Sequence, residues 1–279
     1  MTAQMPVITG LGAITPLGLS YQDLWQGLRE GKCGIDKITA FDPAGFNCQI
    51  AGEAPEFKIR DYIPKSMRKT TKLMSRDIEL AVVAADEAFK DAGLKTRAID
   101  ESNININPAP NELLNKKWCG INPERTAIIF GAGLISCDLV ELAPAVAKSI
   151  TDGKFDIKKW GDQGIEHLTP LWLLKYLPNM PACHIGIIHD IQGPSNSITC
   201  AEAASQLAIG EAMQIIARGD ADIALAGGGE AKVNAIVHLR QCLLLLARSG
   251  LSYPISLNSP VEVRWQQTKV LFPTQHFWL

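Results

Sequence analysis

Two hydrophobic patterns alternate along this chain. Apolar residues three and four apart mark helices, and short fully apolar runs mark buried strands. Ser66 to Ala92 reads as the clearest helix: Leu73, Ile78, Ala81, Val82, Ala85 and Phe89 form one stripe, and Gly93 stands where a left-handed stop belongs. Tyr21 to Glu30 repeats the pattern with Leu24, Trp25 and Leu28, closed by Gly31. Val7 to Thr9 reads as a strand entering a tight turn at Gly10, Gly12 and Gly18. Thr126 to Phe130, "TAIIF", gives a second strand, and Leu171 to Ile191 holds a helix whose start is marked by "PNMP". Ser195 to Cys200 is strand-like, Ala203 to Ala217 helical with Gly219 as its stop, and Asp222 to Ala226 is an apolar strand running into Gly227, Gly228 and Gly229. Strand, helix and strand at this spacing make a βαβ crossover, hence an α/β protein with a mostly parallel sheet covered by helices.

Two stretches break the pattern. Residues 95–123 are rich in Asn and Pro and read as a loop insertion. From Leu239 onward no period is sustained, and no clear element emerges that could finish a sheet. The expected division is a domain over 1–238 followed by a divergent or truncated tail over 239–279.

Composition narrows the class. At 279 residues, 47% hydrophobic and 20% charged, the chain is a globular protein with ample core. A formal charge of −2 gives no overall field for nucleic acid or an anionic membrane. The longest apolar run near the end, Cys242 to Ala247, is too short to span a bilayer. Seven cysteines, Cys33, Cys48, Cys119, Cys137, Cys183, Cys200 and Cys242, show no metal-ligand spacing, so no metal is expected. An odd count with no signal segment points to reduced thiols in a cytoplasm. Gly10 and Gly12 resemble the start of a dinucleotide fingerprint, but the third glycine is misplaced and Pro16 follows; no cofactor is expected.

Candidate chemistry gathers where the strand at Ser195 hands over to its helix. A helix start presents unpaired N–H groups and partial positive charge, which lower a thiol pKa and stabilise an oxyanion. Cys200 is near that junction. Glu202 is nearer still, though an acidic residue in a first turn is favourable for the dipole alone. Lys65, Arg68, Lys69, Lys72 and Arg76 cluster at the front of the helix over Ser66–Ala92; such a run is a solvated face or a dock for an acidic partner.

The segment "GPSNSITCAEAAS", with "VITGLGAITPLG", "AADEAFKDAGL", "PNMPACHIGIIHDIQGPS" and "GDADIALAGGGEA", resembles the β-ketoacyl-acyl carrier protein synthases, most nearly the elongating synthase II type. The resemblance covers most of residues 5–234 and implies a thiolase-like α/β fold and acyl-chain elongation by decarboxylative Claisen condensation. Aligned without gaps between Gly193-Pro194 and Gly219-Asp220-Ala221-Asp222, the family's nucleophilic cysteine falls on Glu202, and its neighbouring threonine on Cys200. Ile209-Gly210 matches in that register. A two-residue slip that put Cys200 in the slot would rotate the later apolar positions by about 200°. A glutamate cannot hold an acyl chain as a thioester, so condensation by this chain is expected to fail. Burial of that glutamate would raise its pKa and make it resemble a glutamine.

The family's catalytic histidines, lysine and glycine-rich loop have no matching motif among His167, His184, His189, His238 or His276, and a truncated or shifted reading frame would give such a chain. The resemblance also implies an acyl carrier protein as partner, docking at Lys65, Arg68, Lys69 and Lys72, and a homodimer or a heterodimer with a synthase. Two further expectations are a non-catalytic partner akin to a chain-length factor, and a residual acyltransferase using Cys200.

Overall fold

The computed structural model describes residues 5–99, 119–133, 135–249 and 268–272. Five strands form the main sheet: β1 (Gly10–Ile14), β2 (Thr126–Gly131), β3 (Ser195–Ile198), β4 (Ile223–Gly228) and β5 (Thr268–Phe272), in the order β1-β5-β4-β2-β3. β2 runs parallel to both β4 and β3, so β3, the following helix and β4 form a crossover that passes over β2. β5 is antiparallel to β1 and β4 and lies between them. Among the described residues, the α-helices of nine residues or more are α1 (Tyr21–Arg29), α2 (Arg76–Ala92), α3 (Leu139–Lys148), α4 (Met180–His189), α5 (Ala204–Arg218) and α6 (Ala235–Ser249).

Alternation along β2 and β4 divides the core in two. Ile128, Phe130 and Leu225 face α2 and α4, together with Ile78, Val82, Phe89, Ile185 and Ile188. Ala127, Ile129, Ala224 and Ala226 face α5 through Ala208, Ala212, Ile215 and Ile216. Burial on both faces explains why these strands read as continuous apolar runs. Alanines on both sides of the second interface let α5 lie close to the sheet.

Several expectations hold, and others need correcting. Gly93 and Gly219 close α2 and α5 in the left-handed conformation, at φ 69° and 80°. The first strand is Gly10–Ile14 rather than Val7–Thr9, and its glycines are not a turn. A Cβ on Gly10 would strike the backbone of Ala88 and Ala92, and one on Gly12 the Ala84 carbonyl, so these glycines let α2 cross directly on β1.

The helix expected over Ser66–Ala92 is broken. Lys65–Leu73 is a 3-10 helix, Met74 and Ser75 are extended, and α2 begins at Arg76. Thr70 and Thr71 hydrogen-bond back to the carbonyls of Met67 and Arg68 at 2.8 and 2.9 Å, three residues earlier, which suits the tighter turn. The absence of any element after Leu239 is corrected as well: α6 runs on to Ser249, and Thr268–Phe272 fills the sheet between β1 and β4. Of the loop insertion expected over 95–123, residues 100–118 lie outside the described residues. Among the described residues no helix is long and apolar enough to cross a membrane.

Candidate active site

The carboxyl ends of β2, β4 and β3 lie in register: Gly131 is opposite Gly228 on one side and Ile198 on the other. The edge is sealed by hydrogen bonds from Gly229 N to Gly131 O (3.2 Å) and from Ala132 N to Ile198 O (2.9 Å). A Cβ on Gly131 would collide with Ala204, the first residue of α5, and one on Gly228 with the backbone of Gly131. Glycine at both strand ends therefore brings the start of α5 down onto the sheet edge. In open α/β sheets this is where sites form.

β3 hands over to α5 through a short turn. Cys200 is exposed, at φ −139° and ψ 45°, Ala201 takes φ 45°, and Ala201–Ala203 forms one 3-10 turn that continues into α5. Left-handed backbone on an alanine costs roughly 1–2 kcal/mol, and such strain gathers at functional turns. The side chain of Glu202 is 58% exposed, so the burial that would make it resemble a glutamine is absent. Its Oε1 lies 3.5 Å from Lys232 Nζ.

Three residues that sequence reasoning passed over complete the cluster. Lys232 is largely buried and also pairs with Glu230 at 2.5 Å. The Glu230 carboxylate occupies the space that a Cβ on Gly133 would take. Between them, Ala231 N donates to Asp77 Oδ1 at 2.8 Å, which ties the loop after β4 to the first turn of α2. Burial pushes Asp77 up to about 7, opposed by its hydrogen bond from Ala231. The signal available in the sequence was the Glu-Ala-Lys run directly after three glycines at a strand end. The buried acid in the first turn of α2 gave none.

The basic residues stand apart from this cluster. Lys65, Arg68, Lys69 and Lys72 are all exposed, and among the described residues none forms an ion pair. In a 3-10 helix residues three apart eclipse, so Lys65 and Arg68 form one ridge and Lys69 and Lys72 a second beside it. Arg76 leaves this group: it stacks on Phe57 at 4.2 Å and pairs with Glu79 at 3.1 Å.

No histidine among the described residues joins the cluster. His167 is exposed, His238 faces the Cys48 carbonyl, and His184 and His189 are buried on α4; His276 lies outside the described residues. His189 Nδ1 is 2.8 Å from Thr96 Oγ1, and its ring sits 4.6 Å from that of Phe89. Burial pulls its pKa down to about 3, and the nearby Lys90 and Arg97 charges add to the shift.

The unfolded imidazole takes a proton near 6.5, whereas the folded one stays neutral to about 3. The unfolded chain therefore binds more protons over that window, and acid favours unfolding. Buried Asp77 and half-buried Glu87, both raised to about 7, titrate with the opposite sign, so the difference between variants isolates the histidine. Relative to His189→Gln, the unsubstituted chain should lose about 1.4 kcal/mol of stability per pH unit below 6.5. Urea unfolding of both proteins at pH 7.5 and 5.5 measures this, and a constant gap would contradict it.

A mixed sheet whose parallel strands β4, β2 and β3 end at a strained strand-to-helix turn defines an α/β protein with its candidate site at a helix start. The family profile "Beta-ketoacyl synthase, N-terminal domain" matches residues 6–107 and 142–250. The chain belongs to the β-ketoacyl synthase family. It is 32% identical over 256 residues to 3-oxoacyl-[acyl-carrier-protein] synthase 2 of Staphylococcus aureus, covering 92% of this chain and 52% of that protein. It is 30% identical over 230 residues to the enzyme of the same name from Synechocystis sp., covering 82% and 46%.

The ishigamide ketosynthase/chain length factor superposes with a TM-score of 0.66 at 22% identity, covering 98% of this chain and 58% of that one. A β-ketoacyl synthase from Burkholderia phymatum gives 0.66 at 19% identity, covering 98% and 59%. A type II polyketide ketosynthase in complex with its acyl-carrier protein gives 0.62 at 16% identity, covering 96% and 62%. The fold is thiolase-like. The chain spans about half the length of the curated relatives it matches.

Proposed function

We infer that this chain is a carrier-protein-binding member of its family in which Glu202 holds the nucleophile position, so that it binds acyl carrier protein without accepting the acyl chain. The observation that carries this reading is the Glu202 carboxylate itself, in the 3-10 turn that opens α5 and 3.5 Å from Lys232. An attack by a carboxylate on a thioester would give a mixed anhydride, which is more reactive than the thioester it replaces, so no acyl-enzyme accumulates. The gap-free register from Gly193 to Asp222 supports the assignment, because β3, α5 and β4 run through it without a bulge in the helix.

The two exposed basic ridges at Lys65, Arg68, Lys69 and Lys72 supply the dock for an acidic carrier protein. One structural neighbour is a ketosynthase in complex with its acyl-carrier protein and another a ketosynthase/chain length factor, which favours a partner role of the second kind. In this reading the chain works in the cytoplasm as a homodimer or beside a competent synthase. A second reading, acyl transfer to Cys200, has one observation in its favour: that thiol is exposed directly before the turn.

Titration of the chain with acyl carrier protein tests the dock. Binding should weaken as salt rises, and Lys69→Glu should weaken it by about fivefold at low salt, an exposed charge contact being worth about 1 kcal/mol. Binding that ignores both salt and the substitution would overturn the docking surface.

A further inference from the structure

Away from the strand-end cluster, the segment before Ile50 is clamped onto α6. Asn234 caps that helix: its side chain accepts from Val237 N at 2.9 Å, and its carbonyl accepts from His238 N at 2.9 Å. One turn in, His238 Nε2 donates to the carbonyl oxygen of Cys48 at 2.6 Å. The His238 ring is held by Phe41 and Phe46, with centroids at 5.7 and 5.1 Å, and those two rings meet edge to face at 5.6 Å.

Residues four apart on a helix share a face, so the face that fixes the Cys48 backbone also presents Cys242. Both thiols are free and half-buried, and Cys48 Sγ donates a weak hydrogen bond to Ile50 O at 3.5 Å. Burial raises the Cys242 pKa; the Cys48 backbone opposes the shift and the neighbouring Cys48 thiol adds to it.

We propose that Cys48 and Cys242 are a redox pair, oxidised by a low-molecular-weight disulfide to a bridge that locks the Phe41–Ile50 segment onto α6. The thiolate of one cysteine attacks a sulfur of glutathione disulfide, forming a mixed disulfide and releasing one glutathione. The thiolate of the other then attacks the protein sulfur of that mixed disulfide and expels the second glutathione. Two protein thiols are oxidised to one disulfide, and one glutathione disulfide is reduced to two glutathiones. Because α6 starts three residues after Lys232, the bridge anchors the helix that continues the site loop. The proposal rests on the His238 clamp alone and is independent of what occupies position 202.

The test uses the full chain, incubated with glutathione disulfide, alkylated, digested without reductant and mapped by mass spectrometry. The folded chain should yield one dominant linked peptide pair, Cys48 with Cys242, with the protein lighter by two hydrogens and the bridge reversed by dithiothreitol. The same oxidation in 8 M urea (on the order of full unfolding for a domain of ordinary stability) should scatter the links among all the cysteines. Recovery from the folded chain of other pairs, of glutathione adducts alone, or of no link would overturn the proposal. Circular dichroism of the treated chain certifies that the fold persists.

Discussion

Gly12→Ala is expected to lower the midpoint of thermal unfolding by about 10 °C, while Gly210→Ala raises it by about 2 °C. Both substitutions add the same methyl group. At Gly12 it would overlap the carbonyl oxygen of Ala84 and crowd the amide of Ala88, which are backbone atoms of α2 rather than flexible side chains. Relief requires the helix to move off β1, and α2 carries much of the larger core through Ile78, Val82 and Phe89. Overpacking of this kind costs about 3 kcal/mol, and a chain of this size loses about 2–4 °C per kcal/mol. Gly210 lies inside α5, is exposed, and has nothing within contact of an added Cβ. There alanine reduces the freedom of the unfolded chain and favours the helix by about 0.5–1 kcal/mol. Scanning calorimetry of the two variants gives opposite signs if α2 lies on β1 as described. Two small shifts of equal size would contradict that contact.

The second large effect is a gain. Glu202→Cys is expected to take up an acyl group as a thioester from an acyl-carrier-protein donor, close to one per chain, where the unsubstituted protein takes up none at that position. A thiolate attacking a thioester carbonyl gives a new thioester of comparable stability, whereas a carboxylate gives a more reactive mixed anhydride that does not accumulate. The surroundings at 202 suit a thiolate: the turn opens a helical run that continues to Arg218, and the Lys232 ammonium lies 3.5 Å from the present carboxylate oxygen. A folded Glu202→Cys protein with no hydroxylamine-labile adduct at 202 would show that the family's nucleophile position lies elsewhere in this chain.

What the sequence made legible follows from where its residues are buried. Thr126–Gly131 and Ile223–Gly228 were readable because helices cover both faces, leaving unbroken apolar runs. The stops at Gly93 and Gly219 were readable because their backbone needs positive φ. β1 was misplaced because glycine signals a turn far more often than a close helix crossing, and only the position of α2 distinguishes the two. The last strand gave no local signal, since its place between β1 and β4 is a matter of long-range pairing.

The site divides in the same way. The strand-to-helix spacing brought out Cys200 and Glu202 as candidates, and the family resemblance alone put the nucleophile position on Glu202. Glu230, Lys232 and Asp77 come from β4's exit and the start of α2, and join Glu202 only in three dimensions. Asp77 in particular sits in an apolar stripe as an acid, and nothing local announces that an amide from Ala231 awaits it.

The nucleophile position is tested most directly by peptide-resolved mass spectrometry of the unsubstituted chain, after incubation with a long-chain acyl carrier protein thioester under conditions in which the carrier protein binds. The predicted result is an unacylated protein, with no hydroxylamine-labile adduct on Glu202 or Cys200. A stoichiometric acyl thioester on Cys200 would contradict it and make that cysteine the acceptor.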